Sequence, residues 1–228
     1  MPTVLAFDVY GTLIDTHGVV IKLRDFVGDS AEEFSRVWRE KQLEYSFRRG
    51  LMRTYENFGV CTSQALDFTN ASLGAGLTAD QKTALLAEYR SLPAFDDVHE
   101  SLVELKADAH LLYAFSNGTA DAVETLLSAA GIRSLFDGVV SVDDCRTFKP
   151  SPDVYEHLLK TTSVSAGEAW LISSNPFDVI GAVSSGLRGV WVQRSAESTF
   201  DPWGIEPTVT IPSLRALGDH IRQARRTG

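Results

Sequence analysis

Five short stretches of the chain, residues 4–9, 110–115, 138–142, 169–173 and 189–193, are apolar in continuous runs rather than in alternation. A strand with one face in water alternates, whereas a strand covered on both faces does not. These runs therefore predict a parallel sheet buried between two layers. Helical patterns fill the gaps. Residues 121–130 set Val123, Leu126, Leu127 and Ala130 on one face, with Gly131 as the stop. Ser151 and Pro152 open a second helix as N-cap and first-turn residue, turning Val154, Leu158 and Leu159 inward. Residues 177–185 form a third, ending near Gly186. Strand–helix–strand repetition with right-handed crossovers gives an α/β fold, a doubly wound Rossmann-like parallel sheet.

One region breaks this rhythm. From Thr16 to Pro93 the pattern is helical throughout: Phe34, Trp38, Leu43, Phe47 and Leu51 recur at near-helical spacing, and residues 77–89 read as another helix. The expectation is a helical cap, residues 16–93, inserted after the first strand, over an α/β core made of residues 1–15 and 94–228. A chain of 228 residues is long enough for one domain with such an insertion.

The remaining composition narrows the function classes. A formal net charge of −9 argues against a nucleic-acid partner, which calls for a basic face to meet phosphates. The two cysteines, Cys61 and Cys145, are too few for a disulfide framework and lack metal-ligand spacing, as do the five histidines; two unpaired thiols fit a reducing cytosol. No basic leader or long apolar segment precedes residues 4–7, and no apolar run reaches the roughly 18 residues of a membrane span. A soluble, cytoplasmic protein without membrane contact is expected. No Gly-x-Gly-x-x-Gly follows the first strand, so a dinucleotide cofactor is not expected.

In an open α/β sheet, sites form outside the carboxyl ends of the strands. Here the first strand ends Asp8-Val9-Tyr10-Gly11-Thr12 and the second Ser116-Asn117-Gly118. After the third comes Phe148-Lys149-Pro150, and the fourth ends Ser173-Ser174-Asn175-Pro176-Phe177-Asp178. Taken singly these are turn and cap residues. Together they place two carboxylates, a lysine, hydroxyls and amides at one crevice.

With this set in this order the chain resembles the haloacid dehalogenase superfamily, and most closely the L-2-haloacid dehalogenases. Phe7 to Leu13, Ser116-Asn117-Gly118, Lys149-Pro150 with Asp153-Val154-Tyr155, and Ser173 through Asp178 carry the resemblance, together with Trp38 to Tyr45 in the cap. It implies that Asp8 is a covalent nucleophile, with Thr12 and Lys149 stabilising its charge. It implies that Arg39, helped by Asn117, receives the departing halide. Ser116 and nearby backbone N–H groups would bind the substrate carboxylate. Asp178, with Lys149, Ser173 and Asn175, would activate the water that hydrolyses the ester, and Tyr155 would orient Lys149 or Asp8. Tyr10, Leu43, Phe58 and Phe177 would wall the apolar side. The implied reaction turns small (S)-2-haloacids into (R)-2-hydroxyacids, without metal or cofactor, in a chain that the family allows to form a homodimer.

The other branch of the superfamily, the magnesium phosphatases, is the competing reading. Phosphoryl transfer there uses Asp-x-Asp, and here the second position is Tyr10, which offers no carboxyl acid/base. A magnesium site wants hard anionic oxygens, where this chain has Ser173-Ser174-Asn175. Both departures favour dehalogenation. Two positions also depart from the dehalogenase pattern: Glu40 stands where Gln is usual, and Phe177 where Trp is usual.

Overall fold

The computed structural model describes residues 3–227; residues 1, 2 and 228, which the expected core includes, lie outside the described residues. Six parallel strands form one sheet: β1 (Val4–Asp8), β2 (Leu111–Ser116), β3 (Gly138–Ser141), β4 (Ala169–Ser173), β5 (Arg188–Val192) and β6 (Val209–Ile211). Their spatial order is β3-β2-β1-β4-β5-β6, so β1 is central and the connections run outward from it in both directions. Right-handed crossovers then deliver helices to opposite faces.

The five expected runs are the first five strands, within one or two residues at each end. Their continuous apolar character has the expected cause. Leu5 and Phe7 of β1 pack on one face with helices α5 (Val98–Ala107), α6 (Ala120–Ala129) and α9 (Leu217–Thr227). Ala6 packs on the other, with α7 (Pro152–Thr162) and α8 (Pro176–Ser184). The sixth strand was not expected.

Between β1 and β2, residues 18–88 hold four α-helices: α1 (Gly18–Val27), α2 (Ala31–Met52), α3 (Phe58–Ser72) and α4 (Ala79–Glu88). The segment contains no strand among the described residues. Trp38 of α2 is fully buried, and its indole N–H is satisfied by the Thr62 carbonyl of α3 at 2.9 Å. Asn57 caps α3, and Thr78 with Gln81 forms a capping box on α4. The chain leaves and re-enters the sheet through two adjacent stretches. Ile14 pairs with Ala94, Asp15 N–H donates to Pro93 O at 2.8 Å, and Phe95 N–H donates to Leu13 O at 3.0 Å. Among the described residues no helix is long and apolar enough to cross a membrane.

Candidate active site

Parallel strands bring their carboxyl ends to one edge, and Asp8 ends the central one. The chain then turns tightly: the Val9 carbonyl accepts from the N–H groups of Thr12, Leu13 and Ile14, and Gly11 takes φ +83°. That turn folds Thr12 back so that its hydroxyl reaches Asp8.

The two oxygens of Asp8 have different surroundings. Oδ2 accepts from Asn175 Nδ2 (2.7 Å), Thr12 Oγ1 (2.9 Å) and Ser173 Oγ (3.2 Å). Oδ1 accepts from Lys149 Nζ alone among the described residues, at 3.2 Å. A carboxylate oxygen has two lone-pair sites, so Oδ2 is saturated while Oδ1 keeps one free. The Asp8 side chain remains 11% exposed.

Asn175 is the N-cap residue of α8, yet its side chain makes no cap bond; the amide is committed to Asp8 instead. Pro176 starts that helix without needing a donor, and the first turn delivers Asp178 to the crevice. Lys149 lies in the loop that leads into α7, anchored by its own N–H to Asn117 Oδ1 at 3.0 Å. Its ammonium donates to Asp178 Oδ2 (2.8 Å), the Phe115 carbonyl (2.9 Å) and Asp8 Oδ1 (3.2 Å), which uses all three N–H groups. One buried cation is thus shared by two carboxylates.

Asp178 is fully buried, and burial raises its pKa to about 6. The Lys149 charge opposes the rise and the Asp8 charge adds to it. Tyr155, from α7, donates to Asp178 Oδ1 at 2.8 Å and lies 3.0 Å from the Asp178 carbonyl. Burial, then the Asp178 charge, pushes the Tyr155 phenol well above its ordinary range, so it stays a donor. Gly181 leaves the room Tyr155 occupies: a Cβ there would meet the tyrosine hydroxyl and come within 2.8 Å of Pro150 Cβ. Gly181→Ala is accordingly expected to push Tyr155 off Asp178. Overpacking of this kind costs about 1–3 kcal/mol. The shift would show as a lower Tm in calorimetry, with turnover falling further than binding.

The structure thus joins Asp8, Thr12, Lys149, Tyr155, Ser173, Asn175 and Asp178 in one hydrogen-bonded set. Ser116 is buried beside it and accepts from Gly118 N–H at 3.1 Å, just before the N-terminus of α6. Asn117 joins through Lys149.

Arg39 stands apart from that set. Its guanidinium donates to Gln42 Oε1 at 2.7 Å, and Gln42 in turn donates to Thr62 Oγ1. Its charge still opposes the burial that raises the Tyr10 phenol to about 12. Glu40 is turned away to solvent and pairs with Arg36 at 2.7 Å, so it does not neutralise Arg39. Leu43 is half-buried one turn along α2 from Arg39. Tyr10 and Phe58, with ring centroids 6.3 Å apart, line a cavity of about 410 Å³ together with Gln42, Tyr89 and Gly118. Phe177 meets Phe47 of α2 edge-on at 5.2 Å and lines a separate cleft with Pro150 and Trp203. Two contributors were not singled out from sequence. Ser174 donates its N–H to Thr12 Oγ1 at 2.8 Å, and Gln42 fixes Arg39. Ser174 sits inside the fourth strand-end motif, so its position was visible and its role was not.

Fold and donor set together define an α/β site built around a strand-end carboxylate and a shared lysine. A family model described as haloacid dehalogenase-like hydrolase matches residues 2–186. An (S)-2-haloacid dehalogenase from Pseudomonas sp. (strain YL) is 37% identical, covering 93% of this chain and 91% of that protein. Haloacetate dehalogenase H-2 from Moraxella sp. (strain B) is 33% identical, over 93% and 95% of the two chains. The solved structure of the L-2-haloacid dehalogenase from Xanthobacter autotrophicus with chloropropionic acid covalently bound has a TM-score of 0.89 to this one. It is 31% identical and covers 97% of this chain and 99% of that one. The chain belongs to the haloacid dehalogenase-like hydrolases.

Proposed function

We propose that the protein hydrolyses the carbon–halogen bond of small (S)-2-haloacids, giving (R)-2-hydroxyacids through an ester on Asp8. The observation that carries this reading is the asymmetry of Asp8: three donors pin Oδ2, while Oδ1 meets only Lys149 and keeps a free lone pair. The similarity to (S)-2-haloacid dehalogenases, one of them solved with chloropropionic acid covalently bound, supports it.

Asp8 Oδ1 attacks C2 from the side opposite the halogen. The C–halogen bond breaks, halide leaves with the electron pair, and C2 inverts. Arg39, from a cap formed by residues 16–93, and Asn117 stabilise the departing halide. Ser116 and the N–H groups opening α6 hold the substrate carboxylate, as a helix N-terminus does for anions. Tyr10, Leu43 and Phe58 enclose the substrate side chain, while Phe177 packs against Phe47 of α2. Water then adds to Asp8 Cγ, its proton passing to Asp178, and the Cγ–Oδ1 bond breaks as Asp178 returns that proton to the departing Oδ1. The product hydroxyl keeps the former Oδ1, and Asp8 gains the water oxygen. Ser173, Asn175, Thr12 and Lys149 stabilise the negative charge on Asp8 and on this intermediate, while Tyr155 holds Asp178 in place.

Esterification removes the charge of Asp8, one of the influences that raise Asp178. Asp178 therefore titrates lower in the ester than the value of about 6 it has in the free protein. The rate of ester hydrolysis, followed in single turnover, is expected to fall on the acid side with a midpoint below that value; a midpoint above it would contradict Asp178 as the base.

The same reading gives an enzyme of the cytoplasm, working without metal or cofactor and compatible with a homodimer; the free cysteines Cys61 and Cys145 suit a reducing compartment. The test is halide release from L- and D-2-chloropropionate in EDTA. Release from the L form alone is expected. No release from either, with p-nitrophenyl phosphate hydrolysed once magnesium is added, would replace this reading with the phosphatase one.

A further inference from the structure

Away from the reacting groups, one half-buried cation touches both stretches that connect the helices of residues 18–88 to the sheet. Arg194 follows β5, and its side chain is 16% exposed. Its Nη1 donates to both oxygens of Asp97, at 2.8 and 2.7 Å, and Asp97 is 5% exposed. Its Nη2 donates to the carbonyl oxygen of Thr12 on the outgoing stretch. The guanidinium carbon Cζ lies over the Phe95 ring of the returning stretch, 4.2 Å from its centroid. Asp97 is the N-cap residue of α5 but makes no cap bond; its Oδ2 accepts Leu214 N–H at 2.7 Å, ahead of α9.

We propose that Arg194, held by Asp97, is a positioning residue for Asp8 that acts through Thr12. This rests on the dehalogenase reading above. Thr12 is the point of transmission because its two ends are engaged differently. Its carbonyl is held by Arg194, while its hydroxyl lies between Asp8 Oδ2 at 2.9 Å and Ser174 Oγ at 3.2 Å. Fixing the carbonyl fixes where the hydroxyl points, and so which way Oδ1 faces. The same fork ties Thr12 to Phe95 and Asp97, so the turn after β1 and the return from the helices move as one body.

The chemistry of the group suits that task better than a stabilising one. A buried ion pair loses most of its attraction to desolvation, and an apolar pair of similar size often holds a fold as well. What an apolar pair lacks is the planar fork. Arginine can meet a carboxylate with one arm, a backbone carbonyl with the other and a ring with its face, all at once. Lysine keeps the charge and loses that geometry.

Arg194→Lys, with Asp97→Asn as the second variant in case the first folds poorly, is to be compared with wild type in single-turnover ester formation. Rates are taken per Asp8 site titrated by mass shift, alongside Tm. The expected result is a fall of roughly 10- to 100-fold in the rate per titrated site, the effect of a small misplacement of a reacting group. In a Thr12→Val background the same change should cost less than about twofold more, because the coupled residues share one effect. A variant with lower Tm or fewer titratable sites but the wild-type rate at each site would overturn the proposal, as would full additivity with Thr12→Val. A wild-type protein that forms no ester and releases no halide would instead remove the functional reading, and this proposal with it.

Discussion

Asp8→Asn is expected to abolish halide release from (S)-2-chloropropionate while leaving the fold intact. The amide keeps the shape of the carboxylate but has no charge with which to displace a halide, and removal of a covalent nucleophile in other enzymes costs on the order of 10⁶ in kcat. With its NH₂ turned toward Lys149 the amide sets one donor against another, while its oxygen still accepts from Asn175, Thr12 and Ser173. One hydrogen bond is lost, an effect of about 1–3 kcal/mol when the group is buried. Halide electrode measurements beside a denaturation curve separate the two effects. Residual turnover within about tenfold of wild type would mean that water attacks C2 directly, because a lost nucleophile cannot leave a rate that close to the original.

Lys149→Met carries the largest expected effect on stability. Asp8 and Asp178 share the Lys149 ammonium, and Asp178 is fully buried. Removing the cation leaves two like charges facing one another without compensation, which costs about 3–5 kcal/mol for a buried pair broken on one side. Asp178 then takes up a proton more readily, because the charge that opposed its rise is gone. Asp178 already stands at about 6, and the Lys149 charge is what holds it down, so the variant raises it further. A carboxyl whose folded pKa exceeds its unfolded one favours the folded chain below the unfolded pKa. That advantage fades as pH rises through the folded value. The stability deficit of Lys149→Met against wild type should therefore be small near about pH 5 and grow toward about pH 8, as the pH rises through the Asp178 value of about 6. Urea denaturation at the two values gives the comparison. A deficit independent of pH would contradict the shared-cation arrangement.

Much of the fold is legible in the sequence because of how the sheet is covered. Strands β1 to β5 are buried on both faces, and that leaves runs such as Val4-Leu5-Ala6-Phe7 with no polar alternation. Strand β6 left no such trace. It has three residues, lies at the sheet edge, and exposes Thr210 between half-buried Val209 and buried Ile211. Local pattern cannot separate that from a loop. The helices of residues 18–88 were visible as a stretch without strands, although their exact ends depend on caps such as Asn57 and Thr78.

The site divides along the same line. Asp8, Thr12, Ser173, Asn175 and Asp178 sit in two short motifs at neighbouring strand ends, so the topology that buries the runs also brings these residues together. Contacts made through tertiary packing were not visible. Gln42 reaches Arg39 by helix geometry but is fixed by Thr62 of another helix, and Arg194 reaches Thr12 across 182 positions of sequence. Nothing in the residues around them marks either role. Glu40 shows the converse. Beside Arg39 in sequence, it reads as a neutralising neighbour, and the helix turns it one face away to Arg36.

The central claim is that the oxygen of the product hydroxyl comes from Asp8 and that water replaces it there. It is tested most directly by a single turnover of excess protein with L-2-chloropropionate in ¹⁸O-water, followed by mass spectrometry of the peptide carrying Asp8 and of the lactate. The account predicts one ¹⁸O in the Asp8 carboxyl and none in the lactate. Label in the lactate hydroxyl with an unlabelled Asp8 would contradict it.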